Sequence, residues 1–141
     1  AIKDWVATHL VTLIAPWEFV DLNVIALPKR AEAHGLIWHH APILDGHAPD
    51  ILPKGFTSEE WFEGKWPVIL PQLHEALDRG ESVVVHCKGG LGRAGTVAAL
   101  LLACRDPSLP CDEVLKRVRT ARPNAIETVV QERYLARHLS G

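Results

Sequence analysis

The sequence predicts an α/β fold in which a central, mostly parallel sheet carries helices on both faces. Two β-prone runs, 10–14 and 36–43, and one continuous β-branched run, 82–86, alternate with segments of helical periodicity. Alternation of this kind favours parallel strands joined by right-handed crossovers. The run 82–86 is typical of a central strand that is buried on both faces.

Helical segments are predicted between and after these strands: 27–34, a segment that starts at Ser58 and is periodic over 68–80, 93–104, 112–121 and 127–139. Gly35 follows the first helix at the position that glycine favours just beyond a helix end. The helix 93–104 is rich in Ala and Leu on all sides, so we expect it to be buried against the sheet.

Length, composition and charge set limits on function. The chain has 141 residues, 48% of them hydrophobic, and a formal net charge of -2. We therefore predict one globular domain over 1–141 that does not bind nucleic acid. Its longest apolar run, 97–104, is too short to span a membrane. Three cysteines make a poor disulfide framework, which favours a reducing, cytoplasmic location.

The segment HCKGGLGRAGT, residues 86–96, concentrates glycines between the last predicted strand and the helix after it. Such a junction presents unpaired backbone N–H groups and the positive end of a helix dipole. Glycines let these N–H groups converge on one anion. The segment has neither the Walker A ending nor the dinucleotide-binding spacing. We therefore predict a phosphate-binding loop made of Lys88, Gly89, Gly90, Leu91, Gly92 and Arg93.

Cys87 begins this loop and Arg93 ends it. The convergent N–H groups and the dipole favour the thiolate form of Cys87, which is a nucleophile. The guanidinium of Arg93 offers a planar fork of donors that matches two phosphate oxygens. His86 is placed to support the thiolate by hydrogen bonding around it.

The pattern His86-Cys87-x5-Arg93 resembles the signature of the cysteine-based protein tyrosine phosphatases. The segment HCKGGLGR, residues 86–93, is similar to the corresponding segment of the dual-specificity branch, above all of its cyclin-dependent-kinase-associated group. WHHAPILDGHAPD, residues 38–50, resembles the general-acid segment of that group, and RPNAIETVVQERYL, residues 122–135, resembles a further family segment. The resemblance covers nearly the whole chain and implies a protein tyrosine phosphatase-like fold, although the family usually has strands ahead of the first one predicted here.

The resemblance implies further roles. Asp45 matches the general acid that protonates the leaving oxygen, with Asp50 as its rival and a turn-capping role as the alternative for either. Gln131 matches the glutamine that places the hydrolytic water; the alternative is a solvated helix residue. Ala94 departs from the family, which commonly has Ser or Thr after the arginine, so we expect slow hydrolysis of the phosphocysteine.

The predicted function is hydrolysis of phosphotyrosine, and of phosphoserine or phosphothreonine, in proteins or peptides through a phosphocysteine. We expect no metal and no organic cofactor. The positive charge of Lys88 would also suit inositol phosphates, so an inositol phosphate or phosphoinositide phosphatase is an alternative. Ala94 favours a second alternative, a phosphoprotein-binding module with slow turnover. The tryptophans at 61 and 66 either line a substrate surface or anchor a helix to the core.

Overall fold

The computed structural model describes residues 7–89 and 91–139. Its strands are β1 (Ala7–Thr12), β2 (Ile37–His40) and β3 (Ser82–His86), which form one parallel sheet in the order β2-β1-β3. The helices are α1 (Glu18–Asp21), α2 (Leu27–Ala33), α3 (Phe62–Asp78), α4 (Gly92–Arg105), α5 (Cys111–Ala121) and α6 (Val129–Leu139). The predicted fold class, a parallel sheet with helices against it, is confirmed.

Most predicted elements agree with the structure to within a few residues. The short helix α1 was not predicted, because four residues after a proline carry no helical period. The long helix α3 begins at Phe62, after a 3₁₀ turn at Ser58–Glu60. It contains Pro67 and Pro71, and because proline usually ends a helix, the first half of α3 was not predicted to be helical.

The two faces of the sheet are covered by different connections. The crossover from β1 to β2 and the crossover from β2 back to β3 move in opposite directions, so right-handedness places their helices on opposite faces. Phe19 of α1 packs edge-on against Trp38 and His40 on one face. On the other face, Val11 and Leu13 belong to a core that α3 and α4 complete. This arrangement leaves the carboxyl edge of the sheet to the loops.

The expectation that 82–86 is a central strand is wrong for the part of the chain that the structure describes. There β3 pairs with β1 on one side only, and each of its residues is half-buried. A groove of about 700 Å³ runs along its apolar side chains and is walled by α4 and α5. The β-branched composition of the strand reflects its contact with α3 and α4 on one face rather than burial on both.

Two histidines form a buried pair across β1 and β2. His9 and His39 are 3% and 9% exposed, their rings are stacked, and His9 Nδ1 lies 2.8 Å from His39 Nε2. Burial lowers the pKa of His9, against the attraction of the Glu81 carboxylate, and burial together with His9 lowers the pKa of His39. The folded protein therefore keeps this pair neutral where free histidines begin to bind protons.

We expect this pair to make folding stability depend on pH. Because the unfolded chain binds protons more readily than the folded one, stability is greatest above about pH 6.5, the ordinary histidine value, and falls as the pH drops below it. Urea unfolding of wild type and of the double variant His9→Leu/His39→Leu, measured from about pH 7.5 to 5, is expected to show a shallower loss in the variant. His34→Gln, a change at an exposed histidine, is the control. Equal losses in wild type and the double variant would contradict the assignment.

Candidate active site

Three loops meet at the carboxyl edge of the sheet. They follow β1, β2 and β3 and comprise residues 13–17, 41–57 and 87–91. Open parallel sheets bind ligands at this edge. Among the predicted site residues, Cys87 begins the third loop, Arg93 lies in the first turn of α4 just after it, and Asp45 lies in the second loop. Gly90 lies outside the described residues, so its part in the predicted loop stays a prediction.

The backbone at the start of α4 is directed toward Cys87. The N–H of Ala94 donates a hydrogen bond to Cys87 Sγ at 3.4 Å, and the thiol is half-buried. In the described part of the chain, no side chain caps the first turn of α4, which begins after Leu91. Uncapped N–H groups at a helix start are available to an anion. The cysteine therefore lies at the positive end of a buried helix.

Arg93 is almost completely buried, and a carboxylate holds it in place. Nη1 donates to Glu18 Oε1 at 2.6 Å and to the carbonyl of Ile43 at 3.0 Å, and Nη2 donates to Glu18 Oε2 at 3.0 Å. The guanidinium has five N–H donors, so among the described residues Nε–H and the second Nη2–H make no hydrogen bond, although Asp45 Oδ1 lies 3.4 Å from Nη2. These two donors lie along the same edge of the guanidinium, an arrangement that can donate hydrogen bonds to two oxygens of one phosphoryl group.

Glu18 is the functional residue that the sequence analysis missed. Its carboxylate also accepts the N–H of Ala15 at 2.8 Å. Burial would raise the pKa of Glu18, but the hydrogen bonds from Arg93 and Ala15 outweigh it and lower the pKa. Burial would lower the pKa of Arg93, whereas Glu18 raises it. The available signal was indirect: a buried arginine requires a buried carboxylate, and Glu18 follows β1 at the carboxyl edge.

The second loop brings Asp45 to this arginine. Asp45 Oδ1 lies 3.4 Å from Arg93 Nη2, and the Asp45 side chain is 61% exposed. Its rival Asp50 points elsewhere, because Asp50 Oδ2 accepts a hydrogen bond from Arg137 of α6 at 3.1 Å. Of the two carboxylates, only Asp45 is thus beside Arg93.

Gln131 is fully buried, so the alternative of a solvated helix residue is wrong. The N–H of Gln131 donates to Thr128 Oγ1, and the N–H of Thr128 donates to Gln131 Oε1, each at 3.2 Å. This reciprocal pair is a capping box at the start of α6, with Thr128 as the capping residue. The other end of the amide, Nε2, donates to the carbonyl of His47 at 3.2 Å. Gln131 therefore joins α6 to the loop that carries Asp45.

Two glycines let the segment before α6 pack against the phosphate-binding loop. A Cβ added to Gly92 would lie 2.9 Å from Glu127 Oε1 and 3.0 Å from Gln131 Nε2. A Cβ added to Gly95 would lie 2.9 Å from the backbone nitrogen of Ile126. Gly95 is thus required for close approach of a neighbouring backbone, whereas Gly92 makes room for side-chain ends; both purposes differ from the anion contacts for which the sequence suggested these glycines.

The rest of the loop is held by backbone contacts. The carbonyl of Leu91 accepts the N–H of Ile126 at 2.8 Å, and the carbonyl of Gly89 accepts a long hydrogen bond from Arg122 Nη2 at 3.4 Å. Lys88 is exposed, and its charge contributes to the low pKa of Glu18. The segment 122–126 therefore anchors the second half of the loop.

His86 contacts Thr12 of β1 and the backbone of Cys87, and not the Cys87 thiol. His86 Nε2 lies 2.6 Å from Thr12 Oγ1, which in turn accepts the indole N–H of Trp38 at 2.8 Å. Burial lowers the pKa of His86, against a hydrogen bond to the backbone of Cys87 that raises it. A neutral ring can thus accept from the Thr12 hydroxyl while its other nitrogen binds the Cys87 backbone.

Among the described residues, Thr96 does not supply the hydroxyl that Ala94 lacks next to Cys87. Thr96 is fully buried, and its hydroxyl donates to the carbonyl of Gly92 at 2.8 Å. That donor is therefore occupied within the helix. In the described residues, the hydrogen bond that Cys87 Sγ accepts comes from the backbone of Ala94.

A family model for the phosphatase domain of the dual-specificity and protein tyrosine phosphatases, described as "Swiss Army Knife protein, DSP-PTPase phosphatase domain", matches residues 62–135. The chain belongs to this family. The match includes Cys87, Arg93 and Gln131, whereas Glu18 and Asp45 lie before it. The resemblance drawn from the sequence is confirmed.

Relatives and solved structures agree with this assignment. Cyclin-dependent kinase inhibitor 3 of Rattus norvegicus is 33% identical over 105 residues, which are 74% of this chain and 44% of the rat protein. The chain thus spans less than half of that relative. A kinase-associated phosphatase whose catalytic-site cysteine is replaced by serine superposes with a TM-score of 0.80 at 27% identity, over 97% of this chain and 71% of that one. Tk-PTP in its active form has a TM-score of 0.73 at 28% identity, over 99% and 85%.

We expect Glu18→Gln to weaken oxyanion binding at Arg93. The neutral amide cannot hold the guanidinium by two charged hydrogen bonds, and loss of one such bond costs about 1.5 to 3 kcal/mol. Tungstate, a phosphate mimic, is expected to bind roughly tenfold to a hundredfold more weakly by isothermal calorimetry. The control is Glu32→Gln, an exposed change on α2. Equal tungstate affinity in a folded Glu18→Gln protein would show that Arg93 does not depend on Glu18.

Proposed function

We propose that this chain is a phosphatase that hydrolyses phosphotyrosine, and also phosphoserine and phosphothreonine, in proteins or peptides. The observation that supports this most is the arrangement around Arg93. Its open Nε–Nη2 edge lies beside Asp45 and at the end of the loop that begins with Cys87. Arg93 thus lies beside Asp45, and the helix start that carries Arg93 also contacts Cys87 Sγ through the N–H of Ala94, so the site offers a nucleophile, an anion clamp and a proton donor.

The first step transfers the phosphoryl group to the enzyme. Arg93 and the backbone N–H groups at the start of α4 bind the phosphoryl oxygens and stabilise the charge that develops on them. The Cys87 thiolate attacks phosphorus, and the bond from phosphorus to the ester oxygen breaks. Asp45 gives its proton to the departing oxygen, so the substrate leaves as the free alcohol or phenol.

The second step returns the enzyme to its starting state. A water molecule attacks phosphorus, the phosphorus–sulfur bond breaks, and the Asp45 carboxylate takes the proton from the water. The products are inorganic phosphate and the Cys87 thiolate. Gln131 is the residue that we propose to place this water, using the amide that now donates to the His47 carbonyl.

Ala94 makes the second step the slow one. A hydroxyl at this position would donate a hydrogen bond to the departing thiolate, and alanine provides none. The missing bond to a charged group corresponds to about 1.5 to 3 kcal/mol, or roughly one to two decades in the rate of hydrolysis. Phosphocysteine is therefore expected to accumulate during turnover.

Rapid mixing of enzyme with p-nitrophenyl phosphate at about pH 6 tests the proposal. We expect a burst of about one equivalent of p-nitrophenol followed by a slower steady rate, because phosphocysteine forms faster than water removes it. Cys87→Ser is expected to give no burst, since it lacks the thiolate.

The matched variant for the slow step is Ala94→Ser. It is expected to speed the steady phase while the burst rate stays similar, because the new hydroxyl assists only the departure of the thiolate. A steady rate without a burst would keep the enzyme but remove the role of Ala94. Phosphate binding without any release of p-nitrophenol would instead identify a binding module.

Asp45 and Asp50 can be separated by leaving-group chemistry. Asp45→Asn is expected to lower kcat/KM for phenyl phosphate by about 10² to 10⁴, because phenolate is a poor leaving group without a proton donor. The loss for p-nitrophenyl phosphate should be smaller, since p-nitrophenolate leaves readily. Asp50→Asn should not change the ratio of the two substrates. A uniform loss for both substrates in Asp45→Asn would indicate a structural role only.

A further inference from the structure

An aromatic platform made of Trp17, Phe56 and Trp61 lies at the carboxyl edge of the sheet. The ring centroids are 5.7 Å apart for Trp17 and Trp61, 5.5 Å for Phe56 and Trp61, and 6.1 Å for Trp17 and Phe56. Trp61 is only 2% exposed, whereas Trp17 and Phe56 are 43% and 39% exposed. The buried indole is thus a base on which two solvent-facing rings are held in fixed positions.

The platform is connected along the chain to the candidate active site by both of its loops. Trp17 directly precedes Glu18, whose carboxylate holds Arg93. Phe56 lies near the end of the loop 41–57, whose earlier part carries Asp45 at 3.4 Å from Arg93. The same loop also exposes Ile51 and Leu52. Apolar surface is therefore concentrated on the two loops that approach the phosphate-binding arginine.

We propose that this platform binds an apolar side chain next to the phosphorylated residue of a polypeptide substrate. The inference rests on the proposed function and adds the substrate sequence that the site prefers. A group that flanks the phosphorylated residue reaches the loops around the site once its phosphate is on Arg93. Rings already fixed by packing lose little conformational freedom on binding, which favours them as a contact surface.

The surrounding charges favour a polypeptide over a membrane surface. Glu59 and Glu60, both exposed, lie on the 3₁₀ turn between Phe56 and Trp61. Asp50 is on the same loop as the exposed Ile51 and Leu52. Asp50 is paired with Arg137, and Lys54 is an exposed cation of the same loop. The repulsion of an anionic lipid surface therefore comes from Glu59 and Glu60. They also disfavour acidic residues beside the apolar one in a substrate.

Two phosphotyrosine peptides that differ only in their neighbours test this inference. One has leucine on both sides of the phosphotyrosine and the other has serine. Wild type is expected to have a kcat/KM about tenfold higher for the leucine peptide, as partial burial of one apolar side chain predicts. Trp17→Gln and Phe56→Gln, one change in each loop, are each expected to reduce this preference toward unity. Ile37→Thr, an exposed apolar residue at the opposite edge of the sheet, is the matched control and should retain it.

The outcomes separate this inference from the proposed function. Release of p-nitrophenol by wild type without any difference between the two peptides would overturn the platform alone. Equal preference in wild type and both variants would do the same. Sedimentation of wild type, but not of Phe56→Gln, with phosphatidylserine vesicles would assign the rings to a membrane instead. Absence of p-nitrophenol release would overturn the proposed function, and this inference with it.

Discussion

The ion pair between Arg93 and Glu18 is the constraint on which the rest of the site depends. An arginine that is 2% exposed is tolerated only because a carboxylate and a backbone carbonyl satisfy three of its donors. Those contacts come from α1 and from Ile43 in the loop after β2. They fix the plane of the guanidinium, so the two remaining donors have one direction before any substrate arrives. Burial of the Arg93 charge therefore fixes the direction of the donors that face a ligand.

The sequence predicted the fold class correctly and indicated the third loop as a candidate site, because both inferences depend on local patterns. β-branched runs, helical periods and the Cys-x5-Arg spacing are visible within ten to fifteen residues. Glu18 was not predictable in this way, since its partner is 75 positions away and only the tertiary fold brings them together. The sequence also predicted β3 to be a central strand, whereas β3 lies at the edge of the sheet that the described residues form. Composition reports that a strand is apolar but not which neighbour covers it.

The structure adds contacts of Gln131 that its predicted role did not include. Its selection came from resemblance, and its capping box with Thr128 came from the structure. One amide thus stabilises a helix start, contacts the loop with Asp45 and lies against Gly92. Any kinetic loss after substitution at this position would combine a change in helix stability with a change in chemistry.

Helix α6 also ties down the loop that carries Asp45. Thr128 Oγ1 donates to the carbonyl of Gly46, Gln131 Nε2 donates to that of His47, and Arg137 pairs with Asp50. The loop is thus fastened immediately after the acid and again five residues on. Conformational entropy of this loop is therefore lost during folding and not when substrate binds, so Asp45 lies beside Arg93 in the absence of any ligand.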